Sequence, residues 1–390
     1  MNHRLIKTKI PVAIVCIVLM LALLLSACSG TAPVDFAWSE KGLGNGWQPE
    51  SSMELQYAQN FSVDYYAEGY KLISIADGSR FLVIPETAVV PEGIDSDIVI
   101  LQQPIDHIYL VATAAMCLFD ALDSLPSIAM SGTDADGWYI ENARKAMEEC
   151  DILYAGKYSK PDYELILANG CKLAIESTMI NHTPDVKEKL EELGIPVLVE
   201  QSSYEKHPLG RTEWIKLYAA MMDKEDEASQ LFDEQVSYME SVANLENTGK
   251  TVAFFYISSS GSAIVRKSGD YVTKMIELAG GKYIFENLGD PEKATSTVTM
   301  EMEEFYATAK DADFIIYNST IDGGVSSLDE LIAKNKLLAD FKAVKNGNVW
   351  CTGQNLYQET TQLGLMISDI HEMLVDEGSL SELNFMFKLQ

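Results

Sequence analysis

The sequence predicts an α/β protein: two lobes with mainly parallel sheets and flanking helices, joined by one long backbone helix, with an N-terminal β-hairpin extension. Three observations predict it. From Ile108 to Val199 short apolar strands alternate with helical stretches, the pattern of βαβ units. From Glu225 to about Asn247 the chain runs without Gly or Pro, and apolar residues recur at Ala228, Leu231, Phe232, Val236, Met239 and Val242. After Gly249-Lys250 the strand–helix alternation resumes.

The elements follow in order. Arg4, Lys7 and Lys9 precede an apolar run from Ile10 to Leu25, and then come Leu25-Ser26-Ala27-Cys28. A basic start, a short apolar stretch and small residues before a break read as an export signal. The four residues resemble a bacterial lipobox, in which Cys28 carries the lipid that holds the mature chain at a membrane face. Residues 29–50 are rich in Gly, Ser, Pro and Trp and read as a tether. Phe61 to Pro85 reads as β-structure, with Asp77-Gly78 as its turn.

In the first lobe, strands are expected at Ile108–Val111, Ile152–Tyr154, Leu173–Ile175 and Gly194–Val199. Helices are expected over Met116–Leu122, around Tyr163–Ala168, and from Pro184 to Leu193. Thr212–Met222 is an amphipathic helix. The 23 residues from Glu225 to Asn247 would span roughly 35 Å and suit a rod between lobes. In the second lobe, strands are expected at Val252–Ile257, Asp313–Tyr317 and Asn348–Trp350. Helices are expected at Tyr271–Ala279, Leu328–Leu338 and Gln362–Val375, and Ser258–Gly269 is expected to be a loop. The organisation is therefore 1–27 signal, 28–55 tether, 56–211 N-terminal lobe with hairpin, 212–248 backbone helix region and 249–390 C-terminal lobe.

Composition narrows the function. The chain has 390 residues, with 29 Lys+Arg against 58 Asp+Glu and a formal charge of −29. A nucleic-acid surface needs a clustered basic stripe, and none is present. Cys117, Cys150, Cys171 and Cys351 have no CxxC spacing, so they fit buried free thiols better than a zinc or redox site, although an exported chain could form two disulfides. There is no G-x-S-x-G elbow, no Walker A and no dinucleotide fingerprint.

In parallel α/β lobes, ligands bind beyond the C-terminal ends of the strands. The loops there hold the candidate ligand-binding residues: Trp138, Lys157, Tyr158, Ser177, His182, Tyr204, His207, Arg211 and Arg266. Basic groups concentrated on these loops suit an anionic ligand. A bare-ion site would rest on His182 and His207, which is thin for a transition-metal cage. A hydrolase would use Ser177 and His182.

Several segments carry a resemblance. They are Pro161-Asp162-Tyr163-Glu164-Leu165-Ile166 before Leu173-Ala174-Ile175, Leu193-Gly194-Ile195-Pro196-Val197, Glu277-Leu278-Ala279-Gly280-Gly281, and Glu303-Glu304-Phe305 before Asp313-Phe314-Ile315-Ile316. Over about residues 98–380 the chain resembles the helical-backbone (class III) solute-binding lipoproteins of ABC importers, which take up iron–siderophores, haem and cobalamin. The resemblance implies a non-enzymatic receptor that needs no cofactor of its own and captures a metal chelate, a ferric siderophore first and cobalamin or haem next. It implies partnership with a permease and its ATPase, a monomeric state, and lipid anchoring through Cys28 at the outer face of the cytoplasmic membrane. It also implies permease docking through Glu164 and Glu303, with Glu301 and Glu304 as neighbouring alternatives to Glu303. Two departures stand out. Cys171-Lys172 and Ala312-Asp313 replace the family's Pro-Asp, and Asp223 stands where a Gly usually ends the helix before the rod.

Overall fold

The computed structural model describes residues 42–44, 46–291 and 296–390. The signal and Cys28 lie outside the described residues. Among those residues no helix is long and apolar enough to cross a membrane.

The N-terminal region is a five-stranded sheet in the order β1-β2-β3-β4-β5. Its strands are β1 (Ser51–Ser52), β2 (Phe61–Tyr65), β3 (Lys71–Ile75), β4 (Arg80–Ile84) and β5 (Ile98–Gln102). The expected β3–β4 hairpin forms, with Gly78 at φ 92 in the turn, a conformation that favours glycine. β5 adds in parallel to β4, because its connection returns across the sheet rather than turning back. One face buries Phe61, Val63, Ile73, Phe81 and Val83 against the body of the protein. The other face is covered by Leu43 and Trp47, so the expected tether joins the fold well before residue 55.

The first lobe has a parallel sheet in the order β12-β11-β6-β7-β8. Its strands are β6 (Ile108–Leu110), β7 (Ile128–Ser131), β8 (Leu153–Tyr154), β11 (Leu173–Ser177) and β12 (Val197–Glu200), and a hairpin of β9 (Gly156–Lys157) and β10 (Lys160–Pro161) stands beyond β8. The crossover helices are α1 (Thr113–Ala121), α2 (Glu141–Glu148), α3 (Tyr163–Ala168) and α4 (Pro184–Glu192). Both sheet faces are covered, as parallel strands require.

A connector follows, made of α5 (Pro208–Glu213), α6 (Ile215–Met222) and α7 (Glu225–Ala243). The rod is shorter than its sequence pattern: α7 has 19 residues, roughly 28 Å.

The second lobe centres on β13 (Thr251–Ile257), flanked in parallel by β17 (Phe314–Tyr317) and by β15 (Lys282–Tyr283), with β18 (Val349–Thr352) parallel to β17. β14 (Ala263–Arg266), β16 (Thr297–Met300) and β19 (Met386–Lys388) join antiparallel. The expected loop Ser258–Gly269 thus contains a strand. Gly261, at φ 87, turns the chain back and lets Ala263-Ile264-Val265 pair with β13. The helices are α8 (Tyr271–Leu278), α9 (Met302–Ala309), α10 (Leu328–Lys334), α11 (Lys342–Lys345) and α12 (Leu363–Val375). α7 lies along α12, and at Gly364 the two approach so closely that a Cβ would sit 2.0 Å from the Gln235 carbonyl oxygen.

Candidate binding site between the lobes

The C-terminal ends of β7, β11 and β12 in one lobe, and of β13, β17 and β18 in the other, carry the loops that meet between the lobes. The loop after β7 brings Tyr139 across the gap. Its backbone N–H donates to Gln358 Oε1 at 2.8 Å, and Gln358 Nε2 donates to the Gly137 carbonyl at 2.7 Å. The Tyr139 hydroxyl donates to Gln354 Oε1, and Gln354 Nε2 reaches the Gly323 carbonyl at 3.2 Å. Deeper in, Thr212 Oγ1 donates to the Thr360 carbonyl at 2.8 Å. An open cavity of about 400 Å³ lies at the ends of β17 and β18, lined by Ser319, Gly324, Ser326, Thr352 and Gln354 among others. That volume is within the range of small-molecule sites.

Two of the expected residues, Arg211 and Arg266, converge. Arg266, the last residue of β14, places its guanidinium 3.2 Å from Asp270 and 5.1 Å from the Tyr357 ring centroid. Arg211, on α5, lies 4.1 Å over the ring of Tyr271, the residue next to Asp270. Burial pushes the Asp270 carboxyl up, and the charges of Arg266 and Arg211 oppose that push. Glu200, at the end of β12, is likewise pushed up by burial, against the Ser202 hydrogen bond and the Arg211 charge. Among the described residues Arg211 has no carboxylate within ion-pair distance, so its charge is available to an incoming anion.

The other expected residues are scattered. Tyr204 is 48% exposed beyond β12, next to Ser203, whose hydroxyl lies 3.4 Å from that of Thr178. Lys157 is exposed in the β9–β10 hairpin and Tyr158 is half-buried at its turn. Trp138 is a core residue: it is 1% exposed and its indole N–H points to Ser131 Oγ at 3.2 Å. The chain turns there so that its neighbour Tyr139, 45% exposed, faces the other lobe. His207 is committed to structure. Its Nδ1 accepts the Leu209 N–H at 3.1 Å, and its ring stacks on Tyr57 at 4.3 Å. Burial, with Lys274 adding to it, lowers its pKa to about 4, so the ring is neutral at physiological pH.

Ser177 accepts the Met179 N–H at 3.3 Å as a helix cap, and His182 is exposed at the far end of that turn. No hydrogen bond joins them among the described residues, so they form no nucleophile–base pair. No group of three or more His, Cys, Asp or Glu is placed to hold a metal ion among the described residues. The thiols are free. Cys117 and Cys351 are buried as expected, whereas Cys150 is exposed and Cys171 half-buried, because the chain ends α2 at Cys150 in a left-handed turn (φ 66).

Sequence reasoning placed Gln354 on a cleft loop, Thr352 to Asn355, but passed over Asp270, Tyr271, Tyr357 and Gln358. Asp270 reads as a helix cap, which it also is, through the Val272 N–H at 2.9 Å. The glutamines carry no charge signal, and only the fold shows that they face the other lobe.

Comparison with known proteins agrees with this architecture. An uncharacterized lipoprotein of Methanocaldococcus jannaschii is 28% identical over 402 residues, covering 96% of this chain and 92% of the relative. The periplasmic heme-binding protein HutB of Vibrio cholerae has the same fold (TM-score 0.55, 18% identity, 67% of this chain and 98% of that chain). So does the petrobactin-binding protein YclQ of Bacillus subtilis (TM-score 0.54, 14% identity, 69% of this chain and 92% of that chain). Residues 124–356, more than half of the chain, match the periplasmic binding protein family. That family is one of binding proteins rather than enzymes, which removes the hydrolase reading. With two lobes, a helical connector and binding loops at the facing strand ends, the chain belongs to the periplasmic binding protein family.

Proposed function

We propose that this chain is the binding component of an ABC importer, anchored outside the membrane by lipid on Cys28, and that it captures an anionic metal chelate, a ferric siderophore, between its lobes. The observation that carries the reading is Arg211: a guanidinium without an ion-pair partner among the described residues, 4.1 Å over the Tyr271 ring where the lobes meet. Arg266 lies across Asp270 from it but already has that carboxylate as partner, so Arg211 supplies the net positive charge. Tyr204 and Tyr139 offer exposed aromatic surface on the first lobe. A chelator brings the metal's ligands with it, so the protein needs only charge, hydroxyls and rings.

Docking to the permease is assigned to Glu164 and Glu303. Both are exposed, and each is the second residue of a helix (α3 and α9) that leads into a central strand of its lobe, β11 or β17. Glu301 sits at the cap and Glu304 one position on, so position in the helix favours Glu303.

The test is calorimetric titration of the purified full chain with a ferric tris-catecholate, a ferric hydroxamate, hemin and cyanocobalamin. Saturable 1:1 binding of a ferric siderophore, weakened at least tenfold by Arg211→Ala, is expected. Binding of hemin or cyanocobalamin alone would move the assignment to haem or corrinoid. No binding of any of the four would overturn it.

A further inference from the structure

The N-terminal region grips the connector at two places, around α5 and at the turn between α6 and α7. At one end, Glu213 on α5 accepts the backbone N–H groups of Gln56, Tyr57 and Ala58, each at 2.8 Å. Glu205 accepts those of Gln59 at 2.8 Å and Asn60 at 3.0 Å, together with the indole N–H of Trp214 at 2.9 Å. Five consecutive backbone donors thus enter two carboxylates that are 0% and 1% exposed. Lys216 Nζ stands 2.8 Å from Glu213 and donates to the Glu54 carbonyl at 3.2 Å. Buried carboxylates are tolerated only when hydrogen-bonded or paired, so the connector depends on this segment.

In the middle of the connector, Lys71 on β3 reaches the turn between α6 and α7. Its Nζ donates to the Ala220 carbonyl at 3.0 Å, to Asp223 at 2.7 Å and to Glu225 at 2.5 Å. Gln103 Nε2 donates to the Met221 carbonyl at 3.1 Å and to Asp223 at 2.9 Å. Asp223 has φ 55, the left-handed conformation that favours glycine, and it is the residue that stands where glycine usually ends this helix. Its carboxylate holds Lys71 through one oxygen and Gln103 through the other, contacts a glycine there could not make. Between the two places, Phe61 packs on Trp214 at 5.1 Å, and the sheet shares one continuous core with α6, α7 and α12. This sheet precedes residue 124, where the family's own segment begins.

We propose that the N-terminal sheet is a splint on the inter-lobe connector, which holds the two lobes at one separation so that the cleft is preset before ligand arrives. The inference goes beyond the transport reading and stands whatever the ligand is.

Hydrogen exchange read by mass spectrometry on the full, ligand-free chain tests it. Lys71→Met removes one grip but leaves Asp223 (63% exposed) and Glu225 (29% exposed) in reach of water, so no buried charge is stranded. The expected result is a rise of at least fivefold in exchange not only at residues 220–228 but also in the cross-lobe loops 135–139 and 353–362, which make no hydrogen bond to the sheet, with a melt that stays cooperative. A rise confined to residues 71 and 220–228, or no rise, overturns the proposal. Should Lys71→Met fail to fold, Glu225→Gln supplies the milder release with the same two outcomes. In the unaltered chain, exchange of residues 215–243 as fast as that of exposed loops overturns it without any variant.

Discussion

Glu176 illustrates how a single side chain sets a property of the whole protein. It sits on β11 with 0% exposure, neither carboxyl oxygen has a hydrogen-bond partner among the described residues, and burial pushes its pKa up to about 8. The folded state therefore keeps a proton that the unfolded chain releases near its ordinary carboxylate pKa. Its effect on stability is smallest below about pH 4.5 and grows unfavourable as pH rises toward about 8. Glu176→Gln should leave the melting temperature nearly unchanged at pH 4. It should raise stability at pH 8.5 by on the order of a few kcal/mol. A melting difference that is flat with pH would contradict this. Arg211 is the opposite case, a half-buried charge without an ion pair among the described residues, and the tenfold loss expected of Arg211→Ala belongs to this scale.

Elements were legible in proportion to their local signal. The Pro184 start of α4, the turn at Gly78 and the unbroken amphipathic run of α7 all announce themselves. β14 and β16 did not: β14 turns back on β13 through Gly261 within a segment that reads as a loop, and β16 finds its partner β14 some thirty residues away. The candidate binding residues split the same way. Charged Arg211 and Arg266 stood out against an acidic background, whereas Gln354 and Gln358 matter only through what faces them. Trp138 misled because aromatic size signals burial as readily as recognition.

Two element-level predictions follow from packing. Gly364→Ala should separate α12 from α7 and cost about 3 kcal/mol, since the obstacle is the Gln235 backbone rather than a movable side chain; denaturant unfolding measures it. Gln358→Ala removes two hydrogen bonds that tie the Tyr139 loop to the second lobe. It should speed both association and dissociation of ligand several-fold, with a smaller change in affinity, read by stopped-flow absorbance.

At the scale of the molecule, each lobe presents a helix, α3 or α9, with an exposed acidic residue in its first turn, the two contact points proposed for the permease. Glu164→Ala with Glu303→Ala should abolish importer-dependent uptake while calorimetric ligand binding stays intact. Uptake that persists would move docking elsewhere. The net charge of −29 does not bear on this directly, because the proposed docking rests on the placement of those two carboxylates on the rim.

The burial of the tryptophans has an optical consequence. Trp138, Trp214 and Trp350 are enclosed in the core, and Trp47 belongs to the N-terminal sheet. The exposed rings beside the cleft are tyrosines, Tyr139 and Tyr204. Among the described residues, then, ligand entering between the lobes touches no indole. Its arrival should register in tyrosine emission, while tryptophan emission stays blue and dims only through energy transfer to a coloured chelate.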